Sequence, residues 1–390
     1  MLTFHKTCIG YSHLQSGKPC QDASYAETSD HMSIAIVSDG HGGAIHSRSD
    51  VGAQLAIFIA HGVIEEYPLT DWENPDKRQE LFKKIVEIWK SLTIDHYYDN
   101  LTEQEIEQLP LFPDVKKSIR NITTLYGCTL MVACVHPNGW FVFQIGDGKC
   151  VTINPMSDKD TSALNDNSKL SIQNSTLVTE PVPNDERCFL NMTTSLCDPD
   201  AATEFRFCGG NKDNMPVAIF LGTDGIDNSW GTEEALHNFY IDILKHCHSQ
   251  KEVLTALDEA LPQLSKLGSS DDMSIAAIVD KSALREEIRN LIEYQLRQTT
   301  TTLEKEQEVH KALENELHEK ILLWQSNPNW EEDEYIQRDR RYLEEQLSQS
   351  VDKEHSLSIR MERFQQQLKL YKLFGLDIEK EPLNDSVNKE

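Results

Sequence analysis

The residues of this chain that could do chemistry are aspartates set beside glycines. Ser38-Asp39-Gly40-His41-Gly42-Gly43 directly follows the apolar run Ser33–Val37, which places a carboxylate at the end of a buried strand and on a glycine-rich turn. Glycines let backbone carbonyls approach a bound ion or ligand closely. The pattern recurs in Phe141-Val-Phe-Gln-Ile-Gly-Asp147-Gly148 and in Ala218-Ile-Phe-Leu-Gly-Thr-Asp224-Gly225. It is inverted in Ser269-Ser270-Asp271-Asp272-Met273, which precedes the run Ser274–Ile278, and Asp22 in Gln21-Asp22-Ala23 completes a set of five. One such acid reads equally well as an ordinary Asp-Gly turn; five at strand ends do not. Carboxylates that converge repel one another unless cations neutralise them. All-oxygen ligand sets select hard ions, Mg²⁺ or Mn²⁺. Two such ions about 3.5–4 Å apart can lower the pKa of a shared water and aim it at a phosphoryl group.

Elements able to position these acids are legible on either side of them. Ser33–Val37, Thr129–Val135, Trp140–Ile145, Val217–Leu221 and Ser274–Val279 are short apolar runs with strand character. His136-Pro137-Asn138-Gly139 joins the second and third as a hairpin, Asn-Gly between apolar runs being a strong turn signal. Val51–Glu65, Gln79–Asp95 and Glu233–His246 carry helical periodicity. Residues 155–185, rich in Ser, Asn, Asp and Thr, read as a long polar connection. This mixture of antiparallel strands and helices spans 1–280 and predicts a catalytic domain.

At Lys281 the character changes. Gly and Pro nearly vanish and a 3-and-4 apolar spacing takes over. One stripe runs through Leu284, Ile288, Leu291, Leu303, Leu313, Leu317 and Trp324. After a break at Asn327-Pro328-Asn329, a second runs through Ile336, Leu343, Leu347, Val351, Leu357, Met361, Phe364, Leu368 and Tyr371. Two helices of similar length around a short break predict an antiparallel coiled-coil hairpin over 281–375, each arm about 65 Å long at ~1.5 Å per residue. Trp324 and Trp330 are expected to pack its tip. Gly375 is read as the cap of the second helix, and 376–390 as a disordered polar tail. The hairpin is expected either to pack on itself alone, or to form a homodimer or hold a partner protein.

The chain carries 64 acids against 37 bases, a net charge of −27 over 390 residues. From residue 281 onward there are 24 acids and 17 bases, which leaves 40 acids and 20 bases in 1–280, a net of −20. Such acidity repels phosphate backbones and anionic lipid, so neither nucleic-acid nor membrane binding is expected. Either the acids are solvated surface or some of them neutralise cations. No apolar run approaches the ~20 residues of a membrane helix, and the start lacks the charged and apolar regions of a signal peptide. Nine scattered cysteines without a Cys-x-x-Cys pair argue against disulfide frameworks and zinc ribbons and for a reducing cytoplasm.

Taken in order, Gln21-Asp22-Ala23, Asp39-Gly40-His41-Gly42-Gly43, Gly127-Cys128-Thr129, Gly146-Asp147-Gly148, Asp224-Gly225 and Asp271-Asp272-Met273 resemble the metal-dependent protein phosphatase 2C family. The opening around Gly10-Tyr11-Ser12-His13 and Gly17–Ala23, with the segment Pro183–Leu196 containing Thr193-Thr194-Ser195, resembles a bacterial subgroup of it. The resemblance covers residues 10–280 and implies an α+β fold, a four-layer α-β-β-α sandwich of two antiparallel sheets. It implies a cytoplasmic serine/threonine phosphatase in which a hydroxide bridging two Mn²⁺ or Mg²⁺ ions attacks phosphorus, with a third ion as an option. Asp39 would bridge both metals, the Gly40 carbonyl would bind the second, and Asp224 and Asp271 the first. Asp147 would serve the third site, Asp22 would orient metal-bound water, and His41 would protonate the leaving oxygen. Phosphoproteins and a cognate Ser/Thr kinase system are the implied partners.

Three departures from the family pattern bear on this. Gln21 stands where a Glu is usual, removing a charge near the second metal. Gly17 stands where an arginine usually grips phosphate, and His13 or Lys18 are the candidate substitutes. Asp271-Asp272 replaces an Asp-Asn pair. These departures motivate a second reading, a weakly active or inactive phosphatase-fold scaffold acting through its helical arm. A metal-dependent nuclease on the same carboxylates is a third, disfavoured by the acidity.

Overall fold

The apolar run at Ser33–Ser38 is buried on both faces, and this organises the first part of the chain. The computed structural model describes residues 1–68, 71–109, 119–156, 177–188, 192–327 and 330–374. They divide into two units, Met1–Pro155 with Thr176–Leu284, and Met156–Ser175 with Arg285–Glu390.

In the first unit the strands are β1 (Leu2–Cys8), β2 (Ala23–Thr28), β3 (Ser33–Ser38), β4 (Leu130–His136) and β5 (Gly139–Ile145). They continue with β6 (Lys149–Ile153), β7 (Val178–Thr179), β8 (Arg206–Asn211), β9 (Ala218–Gly222) and β10 (Met273–Val279). They form two antiparallel five-stranded sheets, ordered β1-β10-β9-β6-β7 and β2-β3-β4-β5-β8. The helices are α1 (Tyr11–Ser16), α2 (Ser49–Glu66), α3 (Pro75–Asn100), α4 (Glu103–Gln108), α5 (Ile119–Leu125), α6 (Ala201–Glu204), α7 (Asp224–Asp227), α8 (Glu233–Leu244) and α9 (Gln250–Leu267).

Side chains alternate across each strand. Ala35, Val37, Met131, Ala133 and Val142 of one sheet meet Cys150, Ile219, Leu221, Ala276 and Ile278 of the other in a shared core. The opposite faces of β3, β4 and β5 (Ile34, Ile36, Val132, Cys134, Phe141 and Phe143) pack on α2 and α3 through Ala53, Ala56, Ala60, Phe82 and Trp89. On the other side Tyr240 of α8 stacks on Phe220 of β9 at 4.8 Å, and Gln250 at the start of α9 donates to the Thr3 carbonyl of β1. The architecture is thus the expected α-β-β-α sandwich. Burial on both faces explains why β3, β4, β5, β9 and β10 read as unbroken apolar runs.

The strands absent from the sequence reading are those with weaker patterns. β1 and β2 are half-exposed, β7 has two residues, and β8 contains a Gly-Gly pair. The span 155–185, expected as a polar connection, holds β7 in its described part; the rest lies outside the described residues. All nine cysteines are unbridged, and no described helix is long and apolar enough to cross a membrane.

The long helices are α10 (Lys281–Trp324) and α11 (Glu334–Phe374), of 44 and 41 residues. They run antiparallel, as Lys320 with Asp339 and Ser350 with Glu306 show, at 2.9 and 2.8 Å. Trp324, Ile336 and Leu343 form the core near the break, with Leu313, Leu317, Ile321 and Trp330 against it. Val351, expected in the seam, is 47 % exposed, and Ser350 is buried instead, its hydroxyl bonded to Glu306. A hydrogen-bonded polar residue has taken the inward position there, and the apolar one beside it faces solvent. Pro328 and Asn329 of the break, the Gly375 cap and the expected tail at 376–390 lie outside the described residues.

Candidate active site

Asp39 follows the last residue of β3, and two bonds to Thr129 fix its backbone. Its N–H donates to Thr129 Oγ1 at 3.0 Å, and its carbonyl accepts from the Thr129 N–H at 2.8 Å. Gly40 bridges to Cys128 beside it. A Cβ on Gly40 would stand 2.4 Å from the Gln21 carbonyl oxygen and 2.8 Å from that of Ser49, so only glycine allows the turn. Gln21 closes this corner, its Nε2 donating to the His41 carbonyl at 3.2 Å and to Ser49 Oγ at 2.5 Å. Its Oε1 is buried without a hydrogen-bond partner.

Asp22 precedes β2 and is 7 % exposed. Thr223, the residue after β9, donates to Asp22 Oδ2 at 2.8 Å and accepts from the Ser274 N–H at 2.8 Å. Asp224 opens α7, with Asn228 donating to its Oδ2 at 3.0 Å. Asp147 lies between β5 and β6. The Gly146 N–H beside it donates to Thr194 Oγ1 at 2.9 Å, while Arg206 donates to the carbonyls of Gly146 and Pro183. Asp271 is exposed on the turn before β10 and accepts from the Asp272 N–H at 2.9 Å.

The electrostatics shows that the five acids converge. Burial first, then the charges of Asp272, Asp224 and Asp271, hold the Asp22 carboxyl well above its ordinary range. Asp39 is raised likewise, by burial and then by Asp22, Asp224 and Asp147. The Asp224 carboxyl is in hydrogen-bonding contact with that of Asp39 and is pushed up to about 6, chiefly by burial and also by Asp147 and Asp271. Burial raises Asp147 too, against the opposing Arg206 guanidinium. The acids that sequence spacing singled out therefore meet in one place. Charges that disfavour one another this strongly, together with the unpartnered oxygen of Gln21, form the donor set of a hard divalent cation. The residues fit such ions, with carbonyl, carboxylate and amide oxygens facing a common centre.

Among the described residues, three ligand atoms all within 4.8 Å of one another occur elsewhere, in Glu27, His61 and Glu65. There the His61 imidazole already ion-pairs with both carboxylates, at 3.3 and 3.6 Å, and both glutamates are exposed. Mutual repulsion keeps the aspartates from packing that tightly, and we follow their shared electrostatics in placing the site.

His41 donates its N–H to the Gly127 carbonyl, and its ring Nε2 lies 2.8 Å from Ser195 Oγ. Its ring crosses that of His46 edge-on at 4.9 Å. A Cβ on Gly127 would meet both rings, 2.7 Å from His46 Nδ1 and 2.8 Å from His41 Cδ2, which is why this position is glycine. Burial, then His46, lowers the His41 pKa to about 4.

His13, read from sequence as a phosphate contact, is buried with Nδ1 on Asp272 Oδ2 at 3.0 Å. Asp272 also accepts from the N–H groups of Gly10 at 2.5 Å and Gln21 at 2.6 Å. It is a clasp for the loop that carries Asp22. Lys18 is exposed. Gly17 caps α1 in the left-handed region at φ 68°, a conformation that favours glycine over the arginine usual there. Thr223, Thr129, Ser195, Arg206 and the clasp of Asp272 escaped the sequence reading of roles. Their signal is positional, since each adjoins a motif or a strand end.

A family model described as Protein phosphatase 2C matches residues 9–262. Among solved structures, a variant of a bacterial serine phosphatase is 12% identical, covering 71% of this chain and 97% of its own, with a TM-score of 0.44. The serine/threonine phosphatase Stp1 from Staphylococcus aureus is 14% identical, covering 72% and 96%, with a TM-score of 0.43. The serine/threonine phosphatase PstP/Ppp of Mycobacterium tuberculosis is 14% identical, covering 71% and 98%, with a TM-score of 0.40. No curated protein sequence matches the chain.

Proposed function

Since the chain belongs to the protein phosphatase 2C family, we propose that it is a Mn²⁺- or Mg²⁺-dependent phosphatase of phosphoserine and phosphothreonine in proteins. One observation carries the reading: Asp39 and Asp224 bring their carboxyls into contact, with Asp22 and Asp147 adding charge around them. Bound divalent cations supply the Lewis acidity that phosphate ester hydrolysis needs, neutralising phosphoryl oxygens and lowering the pKa of an attacking water. Asp39, the Gly40 carbonyl, Asp224 and Asp271 would hold two ions, and Asp147 a third. Asp22, fixed by Thr223, orients the attacking water, and His41 serves the leaving oxygen. No cysteine nucleophile is required, in keeping with burial that raises the thiol pKa of Cys128, Cys150 and Cys197.

The test is hydrolysis of a phosphoserine peptide with Mn²⁺ and with EDTA, on wild type, Asp39→Asn and Asp271→Asn. Metal-dependent turnover confined to wild type supports the proposal. Equal turnover in both variants refutes it.

Gly17 and Gln21 support a second reading, a phosphatase-fold scaffold with little activity. Gly17 offers no side chain to a phosphate, and Gln21 spends its amide on His41 and Ser49. Calorimetry with Mn²⁺ separates the two, since absence of binding at millimolar metal favours the scaffold. In either reading we assign the protein to the cytoplasm, with phosphoproteins of a Ser/Thr kinase system as its partners. The hairpin of 281–375 serves dimerisation or a partner protein, and light scattering on the intact chain reads the dimer directly.

A further inference from the structure

The segment Thr193-Thr194-Ser195 touches the site at two points. The hydroxyl of Thr194 accepts from Gly146, beside Asp147, and the hydroxyl of Thr193 faces the Asp147 carboxyl. Ser195, 3 % exposed, takes the ring of His41. Its own place is fixed by its N–H on Asp198 Oδ2 at 2.8 Å. Its hydroxyl lies 3.1 Å from the Cys128 carbonyl oxygen and 3.2 Å from Cys197 Sγ.

Counting protons orders this cluster. A serine hydroxyl has one proton to give and two lone pairs to receive with. The Cys128 carbonyl can only accept. It already takes the Leu196 N–H at 3.0 Å and has a second lone pair for Ser195. If Ser195 donates there, its oxygen is free to accept from His41 Nε2–H, and every proton in the chain has an acceptor. If Ser195 instead donates to Nε2, the ring proton sits on Nδ1, which has no hydrogen-bond partner among the described residues. A largely buried N–H without an acceptor is the costlier arrangement.

We propose that Ser195 is a positioning residue that holds His41 as the Nε2–H tautomer and leaves Nδ1 as the nitrogen that exchanges a proton with the substrate. The tautomer is a property of this chain's own hydrogen bonds. Only the link to turnover rests on the phosphatase reading above. Ser195 accepts from Nε2–H whether or not Nδ1 carries a proton, so it keeps the ring oriented through a catalytic cycle.

The test uses full-length protein with ¹⁵N-labelled histidine and long-range ¹H–¹⁵N correlation spectra at pH 7.5, the His41 signals being assigned by their loss in His41→Gln. The expected wild-type pattern has a protonated Nε2 and an unprotonated Nδ1. Ser195→Ala is expected to lose the fixed pattern, and Ser195→Thr to keep it. On a phosphoserine peptide Ser195→Ala should lower kcat about tenfold, the scale of one hydrogen bond. KM and calorimetric Mn²⁺ affinity should stay within about twofold, and Ser195→Thr should recover kcat. A proton on Nδ1 in wild type, or an unchanged tautomer and kcat in Ser195→Ala, overturns the proposal. If wild type hydrolyses no phosphopeptide at all, the phosphatase reading fails, while the spectra still decide the tautomer.

Discussion

Asp272→Asn changes a charge without changing a volume, and its cost can be worked from the clasp. Asp272 is 3 % exposed. Oδ1 accepts from the Gly10 N–H, and Oδ2 accepts from the Gln21 N–H and from His13 Nδ1. Asparagine offers one oxygen and an NH₂ group. With its oxygen toward Gln21 and His13, the NH₂ faces the Gly10 N–H; turned round, two donors lose their acceptor. The better choice still leaves one buried donor unpaired, at about 1–3 kcal/mol, and reduces two charge-assisted bonds to neutral ones. The total is about 3 kcal/mol, or a fall in Tm of roughly 6–12 °C for a domain of this size. Urea and thermal unfolding by tryptophan fluorescence measure it, Trp72, Trp89, Trp140 and Trp230 belonging to the first unit. Combining Asp272→Asn with His13→Gln should cost less than the two singles added, because they share one bond. Since Gln21 precedes Asp22, calorimetric Mn²⁺ affinity should fall as well. A loss under about 1 kcal/mol, or strict additivity, would refute the clasp.

Mn²⁺ should raise stability by about 2.7 kcal/mol at a hundredfold excess over Kd, a shift that EDTA reverses and Asp39→Asn abolishes in thermal melts. In EDTA, Asp39→Asn should unfold no more readily than wild type, because Asp39 sits among Asp22, Asp224 and Asp147. Thr223→Val removes the donor to Asp22 and the acceptor for Ser274 at a buried position; it should cost about 1–3 kcal/mol in urea melts and slow Mn²⁺-dependent turnover. Gly127→Ala drives a methyl into the rings of His41 and His46; it should destabilise by about 1–3 kcal/mol and displace their proton resonances.

The acids of the site were legible because strand ends beside glycine leave a mark in a one-dimensional pattern. Asp39, Asp147 and Asp224 each close an apolar run that burial on both faces keeps unbroken. The partners of those acids left no such mark. Thr223 reaches Asp22 across 201 positions, and Asp272 reaches Gly10 across 262. His13 and Ser350 show the same limit from the other side: a histidine open to a phosphate role and a serine beside an apolar stripe are both buried on carboxylates.

By itself the sequence determined the two-sided burial of the central strands, the helical repeat beyond Lys281 and the identity of five converging aspartates. Each is a matter of residue type and local period, which physics reads over a few positions at a time. Only the tertiary structure decided which donors hold those aspartates, where Gln21 turns its amide, and that Ser195 takes the ring of His41. Those are pairings between distant segments, set when two sheets stack and their loops meet at one end, and no local period encodes them.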